Sequence, residues 1–364
     1  MKVLIISGAA LRLTPYAQLY IDAAKKNGHT ITILVWERNN EPDNVVDSSI
    51  KVIRFKNVLD DSESKINKIV PFLLFRKFLR KNIQRKNPDF IVSLDTQFAV
   101  LINSLIRKKY KNKYIYDMRD MSFEHISLYR KIVAKIVNAS KYTFISSEDY
   151  RRFLPSSTKI FTFHNYQKSE LQYIGLRNKN VRNQKKIRIS FWGMIREVEL
   201  NLFFISCIKN DERFLVNYYG SATSESKRLN EYCEAQNVRN VVFWGPYSND
   251  KKHSFVSNTD LILNLHYNKR KQFGSPEMGN KFYDGIIYEI PQICSKNTFM
   301  GNYAEKYQVG VCIELNENIG DCLWNYYNSI EWNKFSANCC SIRECIIDQQ
   351  EKSLKLLDNI FSNE

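Results

Sequence analysis

Asn280, Lys281 and Asp284 lie at the start of a predicted helix, in the stretch 274–295 (GSPEMGNKFYDGIIYEIPQICS). If Asn280 is the N-cap, the free N–H groups and the positive end of the helix dipole favour an anion there. Lys281 adds a positive charge. Asp284 lies on the same helical face, where its carboxylate could accept hydrogen bonds from a ribose diol. The alternative is a capped surface helix before the apolar strand that follows Pro291, and the stretch alone does not decide between them.

Glycines follow predicted strands in the second half of the chain, and two of them are candidates for contact with a phosphate. Gly193 follows the strand KIRISFW, and Gly220 follows FLVNYY. A glycine there lets a ligand approach the backbone, and Arg196, three residues after Gly193, could clamp a phosphate. Pro246 and Tyr247 follow the next strand, where a base or ribose could stack. An aromatic side chain packed at a loop is the alternative.

Polar residues of the first half also follow predicted strands. Arg119, Asp120 and His125 come after the strand KYIY, and Arg12 lies in the loop after the first strand, KVLIIS. The carboxyl ends of parallel strands are where an open α/β sheet places its chemistry. Asp120 or His125 could contact a sugar hydroxyl as a base or a positioning group, and Arg12 could meet an anionic acceptor. A structural ion pair between Arg119 and Asp120 and a solvated Arg12 are the alternatives.

Units of strand, helix and strand recur along the chain and predict an α/β protein with two parallel sheets. At 364 residues the chain is long for one core, so two domains are expected. The polar segment 167–185 is predicted as the linker between a first domain, 1–166, and a second domain, 186–341. The remaining residues, 342–364, are predicted to form an amphipathic helix that reaches back across the first domain. The turn after the first strand lacks the dinucleotide fingerprint GxGxxG.

Composition narrows the class of protein. Hydrophobic residues make up 44% of the chain, which indicates a folded globular protein. No apolar run approaches the roughly 18 to 20 residues that span a bilayer, so the chain is expected to stay in the cytoplasm. The eight cysteines have no spacing typical of zinc ligands, and they are expected to be reduced thiols. No metal site is predicted.

The net charge of +16 is concentrated in the first half of the chain. Residues 1–166 contain 29 Lys and Arg and 15 Asp and Glu, whereas the remainder contains 25 and 23. A one-sided basic surface attracts nucleic acid, anionic lipid or a phosphorylated substrate, and charge alone does not choose among these.

The segment Lys65–Lys86 is predicted to be largely helical, with apolar and basic residues interleaved. Apolar bulk flanked by basic side chains is typical of a helix that lies in an anionic membrane interface. The alternative is a crossover helix packed on the sheet with a solvated basic face. The aromatic content favours the membrane interpretation.

Several motifs resemble those of the GT-B glycosyltransferases, especially the retaining enzymes of family 4 in bacterial capsule and exopolysaccharide clusters. In the second half these motifs are ISFWGMIR, NYYG, VVFWGPY and NKFYDGIIYEIPQI. In the first half they are KVLIIS, ITILVWER, YIYDMRD, FISSEDYRRFLP and FHNY. The resemblance covers nearly the whole chain. It implies two Rossmann-like domains that face each other across a cleft, with the C-terminal helix crossing back to the first domain.

The resemblance also implies roles for individual residues. Asp284 takes the place of the second acidic residue of the family's paired-glutamate motif and would bind the ribose of a nucleotide diphosphate. Glu277, one residue short of the family spacing, would be the first acidic residue, near the donor sugar. Arg196 matches an arginine that meets the diphosphate, and Lys281 would supply the charge of a lysine that is missing after it. The helix start at Asn280 completes this cation set, so no metal or other cofactor is expected.

The implied reaction moves a sugar, with retention, from a nucleotide sugar to a sugar on a polyprenyl diphosphate at the inner face of the plasma membrane. The nucleotide sugar is expected to be a UDP-sugar. Asp120 or His125 would lie where the acceptor hydroxyl meets the anomeric carbon, and Arg12 and Arg119 would bind the acceptor. The partners are then the donor, the lipid-linked acceptor and anionic lipid, and no nucleic acid, since no nucleic-acid fingerprint is present.

Other classes of protein remain open on the sequence. A GT-B nucleotide-sugar 2-epimerase shares the architecture but needs no lipid-facing helix. A polyanion-binding protein would explain the charge but not the nearly neutral second half. A catalytically idle GT-B partner subunit is the third alternative, because the spacing of the paired acids departs from the family.

Overall fold

The computed structural model describes residues 1–38, 47–59, 63–64, 66–166, 168–175, 186–195, 197–220, 223–266, 275–314 and 318–362. The chain divides into two compact units. The first unit comprises Met1–His164 and Ile347–Glu364, and the second comprises Asn165–Ile346.

The first unit is built on a parallel sheet of seven strands in the order β3-β2-β1-β4-β5-β6-β7. Its inner strands are continuous apolar runs because helices cover both faces of a parallel sheet. The strand order reverses between β1 and β4, and in open α/β sheets ligands bind at the carboxyl ends of the strands at this point. The strands are β1 (Lys2–Ser7), β2 (Thr30–Glu37), β3 (Lys51–Lys56), β4 (Phe90–Leu94), β5 (Tyr114–Met118), β6 (Tyr142–Ile145) and β7 (Ile160–Thr162).

Helices bury apolar residues on each face of this sheet. One face carries a core that includes Trp36, Phe75, Phe98 and Val133. The other face is covered by a core that includes Tyr20. The helices of the first unit are α1 (Ala17–Lys26), α2 (Ile69–Lys86), α3 (Thr96–Leu101), α4 (Asn103–Lys109) and α5 (Ser127–Ala139).

The second unit repeats the plan with a parallel sheet of six strands in the order β10-β9-β8-β11-β12-β13. Here the strand order reverses between β8 and β11. The strands are β8 (Ile187–Trp192), β9 (Phe214–Tyr219), β10 (Val241–Gly245), β11 (Leu261–Asn264), β12 (Gln292–Ser295) and β13 (Gly310–Ile313). The helices are α6 (Val198–Ile208), α7 (Ser224–Ala235), α8 (Lys252–Val256), α9 (Asn280–Tyr288), α10 (Phe299–Lys306) and α11 (Ile319–Asn328).

The last helix, α12 (Trp332–Phe361), begins before residue 342, where the sequence predicts it to start. Its first part contributes Phe335 and Cys339 to a core of the second unit. Its last part contributes Leu357 and Phe361 to a core of the first unit. The prediction of two parallel-sheet, Rossmann-like units is confirmed.

Candidate binding sites at the carboxyl edges of the two sheets

In the second unit, three glycines bring neighbouring strand ends close together. The Gly193 N–H donates to the Tyr219 carbonyl at 2.9 Å, and the Gly220 N–H donates to the Gly245 carbonyl at 2.8 Å. A Cβ on Gly220 would lie 2.2 Å from the Gly193 carbonyl oxygen, so only glycine fits there. Gly193 has a φ of +106°, which also favours glycine. A Cβ on Gly193 would meet no described atom within 4 Å, so a ligand can approach this backbone.

The N-cap of α9 is Gly279 rather than Asn280, so the sequence prediction of the cap is wrong by one residue. The extended backbone of Gly279 (ψ 153°) ends the loop, and Asn280 is already the first residue of the helix. The Asn280 amide oxygen instead accepts a hydrogen bond from the Asn165 side chain at 2.8 Å. Gly279 has no side chain with which to cap the first turn, and the N-terminal end of a helix favours an anion.

Two residues that the sequence did not single out lie beside the start of α9. A Cβ on Gly279 would come within 3.5 Å of the His266 Nε2 and within 3.9 Å of the Asn264 Oδ1. Both residues lie at the carboxyl end of β11, next to the point where the strand order reverses. Lys281 lies with its Nζ 4.2 Å from the centre of the Phe191 ring. The positive end of α9 and one lysine are thus placed at the carboxyl edge of the second sheet.

Asp284 is buried, and each of its carboxylate oxygens has a partner within the second unit. Trp192 Nε1 donates to Oδ2 at 2.8 Å, and Lys252 Nζ donates to Oδ1 at 2.6 Å. Lys252 also lies 3.7 Å from the Glu170 carboxylate, so it bridges two acids. These contacts give Asp284 a structural role, and its contact with a ribose stays a prediction. Glu170 belongs to a 3-10 helix, Lys168–Tyr173, inside the segment predicted as a linker.

Tyr247 lies near this ion pair. Burial, followed by the charges of Asp284 and Glu170, raises the pKa of Tyr247 to about 12. Its ring packs edge to face against Phe255, with centroids 5.1 Å apart. Pro246, the residue before it, is exposed. The structure therefore places Tyr247 near Asp284, and the donor-binding role of both residues stays a prediction.

Of the remaining candidate residues of the second unit, the structure describes Glu277 but not Arg196. Glu277 is half-buried and accepts a hydrogen bond from the Ser275 hydroxyl in the loop before α9. Arg196, the predicted diphosphate clamp, lies outside the described residues, as does Lys65 at the start of the predicted membrane segment. Their predicted roles stay predictions.

In the first unit, Arg119 and Asp117 form a buried ion pair at the end of β5. Arg119 Nε donates to Asp117 Oδ1 at 2.7 Å, and Arg119 Nη1 donates to the Phe163 carbonyl at 3.0 Å. The Tyr20 hydroxyl donates to the other Asp117 oxygen at 2.7 Å. The ion pair of Arg119 is therefore with Asp117 rather than with Asp120, the partner considered from the sequence.

The other candidates of the first unit lie in loops at the same edge. Asp120 is exposed and lies near Asp95, because the pKa of Asp95 is raised by burial and then by the negative charge of Asp120. His125 is half-buried, with its ring 6.4 Å from that of Phe123 in the loop before α5. Arg12 is exposed on a 3-10 turn after β1. The sequence did not single out Asp95 as a candidate site residue.

No helix in the described part of the chain is both long and apolar enough to cross a membrane. Among the same residues, no group of three or more His, Cys, Asp or Glu side chains is arranged to hold a metal ion.

Solved structures with the same architecture were found by structural comparison. Sucrose-phosphate synthase from Thermosynechococcus elongatus has a TM-score of 0.68 at 10% identity and covers 100% of this chain and 95% of that chain. HepE from Anabaena, in complex with UDP and glucose, has a TM-score of 0.64 at 12% identity, with coverage of 98% and 99%. WaaG, a glycosyltransferase involved in lipopolysaccharide biosynthesis, has a TM-score of 0.63 at 13% identity, with coverage of 98% and 99%.

The similarity to these proteins is structural. No protein-family model matches the sequence, and no curated protein matches it. Two parallel-sheet, Rossmann-like units in one chain, matched over nearly the full length by glycosyltransferases of this architecture, define the GT-B fold. The predicted fold class is confirmed.

Proposed function

We propose that this protein is a glycosyltransferase that uses a nucleotide-sugar donor, most simply a UDP-sugar. The observation that carries the proposal is the carboxyl edge of the second sheet, where Gly193 leaves space for a ligand against the backbone and, among the described residues, no side chain caps the start of α9. An anionic diphosphate suits such a site, because unpaired N–H groups and the helix dipole favour negative charge. HepE, which shares the fold, was solved with UDP and with UDP-glucose.

For this reaction the site must stabilise the diphosphate leaving group. As the bond between the anomeric carbon and the diphosphate oxygen breaks, the electron pair leaves with the diphosphate. The acceptor hydroxyl oxygen bonds to the carbon, and its proton passes to the base proposed at Asp120 or His125. Positive groups fixed before the reaction lower this barrier most. Lys281 and the start of α9 supply them, and Arg196 is proposed to add a third. We therefore expect transfer to proceed without a divalent cation.

The roles proposed for the other candidate residues follow the family resemblance. Asp284 and Tyr247 hold the nucleoside, and Glu277 contacts the donor sugar. Asp120 or His125 contacts the acceptor hydroxyl, and Arg12 and Arg119 contact the acceptor. Retention at the anomeric carbon, membership of family 4 and a place in capsule or exopolysaccharide synthesis belong to the same proposal.

The proposed acceptor is a sugar on a polyprenyl diphosphate, and α2 is the proposed contact with the membrane. One face of α2 packs on the sheet through Phe75, whose ring centre lies 4.7 Å from that of Trp36. The start of the helix exposes apolar side chains instead, with Ile69 55% and Val70 61% exposed. The further exposed residues are Ile66, Leu73 and Leu74, followed by the basic residues Arg76, Lys77 and Lys81.

The crossover-helix interpretation therefore describes the face of α2 that packs on the sheet, and the apolar surface next to basic residues supports the proposed membrane contact. Apolar side chains that enter the acyl boundary beside cations are typical of interfacial helices. This arrangement favours an anionic bilayer as the partner of the surface, on which the enzyme is proposed to lie from the cytoplasmic side.

Replacing Leu73 and Leu74 by glutamate is expected to reduce binding to anionic vesicles by at least about 10-fold, because two apolar side chains are lost and two negative charges are added. Flotation with vesicles of phosphatidylcholine and phosphatidylglycerol measures it. Phe203→Glu, a change of an exposed residue on α6 in the second unit, is the matched control and should float like the wild type. Equal recovery of all three proteins would contradict the membrane role.

The transfer reaction is tested by measuring release of UDP from UDP-glucose, UDP-galactose and UDP-N-acetylglucosamine, with lipid extract as the source of acceptor. We expect one sugar to be transferred, with UDP released in step and with no loss of activity in EDTA. Lys281→Met should lower the rate by about 10-fold or more, since one charged contact to the diphosphate is removed. Lys306→Met, at an exposed position on α10, should not change it.

A 2-epimerase is the second candidate, because a protein assigned as a UDP-N-acetylglucosamine 2-epimerase from Listeria monocytogenes also matches the fold, with a TM-score of 0.58. An epimerase would convert UDP-N-acetylglucosamine to its C2 epimer in the absence of lipid. That product would contradict the transferase proposal.

A further inference from the structure

Asp95 stands at the carboxyl end of β4, where the strand order of the first sheet reverses. Its φ of +66° is unusual for a residue with a side chain. The backbone is held there because the Asp95 N–H donates to the Asp117 carbonyl at 2.8 Å. The half-buried side chain is directed to the hydroxyl of Tyr16, which lies 3.4 Å from Oδ1 and 3.3 Å from Oδ2.

Within the described part of the chain, most of the hydrogen-bonding capacity of this carboxylate is left for a ligand. The two contacts with Tyr16 are long, and a hydroxyl carries one proton, whereas a carboxylate has about four acceptor sites. Asp117 differs, because Arg119 and Tyr20 occupy its two oxygens at 2.7 Å each. Of the two acids, Asp117 holds the structure together, and Asp95 has room for a partner.

Arg119 supplies an unpaired donor in the same cluster. The residue is 6% exposed, and its Nη2 has no hydrogen-bond partner among the residues that the structure describes. Its guanidinium lies 4.5 Å from the centre of the Tyr16 ring, and the Tyr16 hydroxyl contacts Asp95. An unsatisfied buried donor is costly unless a ligand pairs with it. The cluster thus offers an acceptor, Asp95, and a donor, Arg119.

We propose that Asp95 and Arg119 form a subsite that binds a diol of a carbohydrate. One hydroxyl donates to the Asp95 carboxylate, and a neighbouring hydroxyl accepts from Arg119 Nη2. Sugars present such pairs of adjacent hydroxyls, and a carboxylate beside a guanidinium satisfies both members of the pair. The inference rests on the proposed function in one respect: it makes this subsite the place of the acceptor sugar.

Binding of a ligand at this subsite depends on pH. Burial, followed by the negative charges of Asp120 and Asp117, raises the pKa of Asp95 to about 7. The ionised form is the one that accepts from both lone-pair directions, so binding strengthens as pH rises through 7 and weakens as pH falls below it. The titratable and charged groups around Asp95 are Tyr16, Tyr116, Asp117, Arg119 and Asp120.

The test uses methyl α-glycosides of glucose, galactose and mannose as probes, with binding to the intact protein measured by saturation-transfer NMR at pH 6 and pH 8. We expect at least one glycoside to bind several-fold more tightly at pH 8. Asp95→Asn should weaken that binding by at least about 10-fold at pH 8 and abolish its pH dependence, because an amide cannot become an anion. Asp22→Asn, an exposed position on α1, is the matched control and should behave like the wild type.

Thermal protection by UDP-glucose, measured on the same variants, separates this inference from the proposed function. If Asp95→Asn loses glycoside binding but is still protected by UDP-glucose, both the subsite and the proposed function are supported. Glycoside binding that depends on Asp95 without any protection by nucleotide sugars supports the subsite and contradicts the transferase. The subsite is overturned if the glycosides bind Asp95→Asn as tightly as they bind the wild type at both pH values. It is also overturned if they bind neither the wild type nor any variant.

Discussion

Replacing Asp284 by alanine is expected to lower the free energy of unfolding of the second unit by about 3–5 kcal/mol. The change leaves the ammonium group of Lys252 and the indole N–H of Trp192 without their 2.6 Å and 2.8 Å partner. Breaking a buried ion pair from one side costs this much because the remaining charge stays desolvated, and the Glu170 carboxylate at 3.7 Å does not replace the 2.6 Å hydrogen bond that Lys252 loses. Urea denaturation followed by tryptophan fluorescence measures the loss.

The control for this prediction is Asp321→Ala. Asp321 pairs with Arg213 at 2.7 Å, but its side chain is 70% exposed. Exposed pairs contribute about 0–1 kcal/mol, so this variant should unfold close to the wild type. A loss as small in Asp284→Ala as in Asp321→Ala would contradict the structural role of the buried pair. Asp284→Asn, which keeps an oxygen for Trp192, is then the variant in which nucleotide binding is measured.

Asp95→Asn is expected to stabilise the first unit at pH 8 by about 2–4 kcal/mol. The pKa of Asp95 is about 7 in the folded protein, against a usual value of 3.8, so the folded state holds the proton more tightly than the unfolded chain. Stability is therefore lost as pH rises from about 4 to about 7, and each unit of pKa shift corresponds to about 1.4 kcal/mol. Asparagine resembles the protonated form and avoids that loss.

The measurement is the free energy of unfolding at pH 5 and pH 8 for the wild type, Asp95→Asn and the control Asp22→Asn. The advantage of Asp95→Asn at pH 5 should be about a third of its full value, which is reached at pH 8. An advantage of equal size at both pH values would show that Asp95 does not titrate near neutrality. A residue that destabilises the fold while keeping an ionised carboxylate at a binding edge is typical of functional positions.

The sequence predicted the architecture well because apolar runs such as KVLIIS and KIRISFW become buried parallel strands with helices between them. It did not reveal β3, since KVIRFK is an edge strand whose side chains are only half-buried or exposed. An edge strand carries too little of the apolar signal that marks an inner strand.

The binding edges were predicted less completely than the fold. The glycines after β8 and β9 were found because glycine after a strand is a visible signal. Asp95 follows β4 in the same way, but a single aspartate in a loop has no distinguishing type or spacing. Lys252, in the sequence KKHSF, looks like a surface residue, and only the fold shows that it lies against Asp284. The strand order, which sequence alone leaves open, would have pointed to the ends of β4 and β11.

Titration of the intact protein with UDP by calorimetry tests the central claim most directly, because the proposed donor site needs only the diphosphate and the nucleoside. We expect one site in the wild type, a Kd about 10-fold weaker in Lys281→Met, and an unchanged Kd in Lys306→Met, whose side chain lies beside Tyr307. The absence of heat with the wild type, or equal affinity in all three proteins, would contradict a donor site at the start of α9.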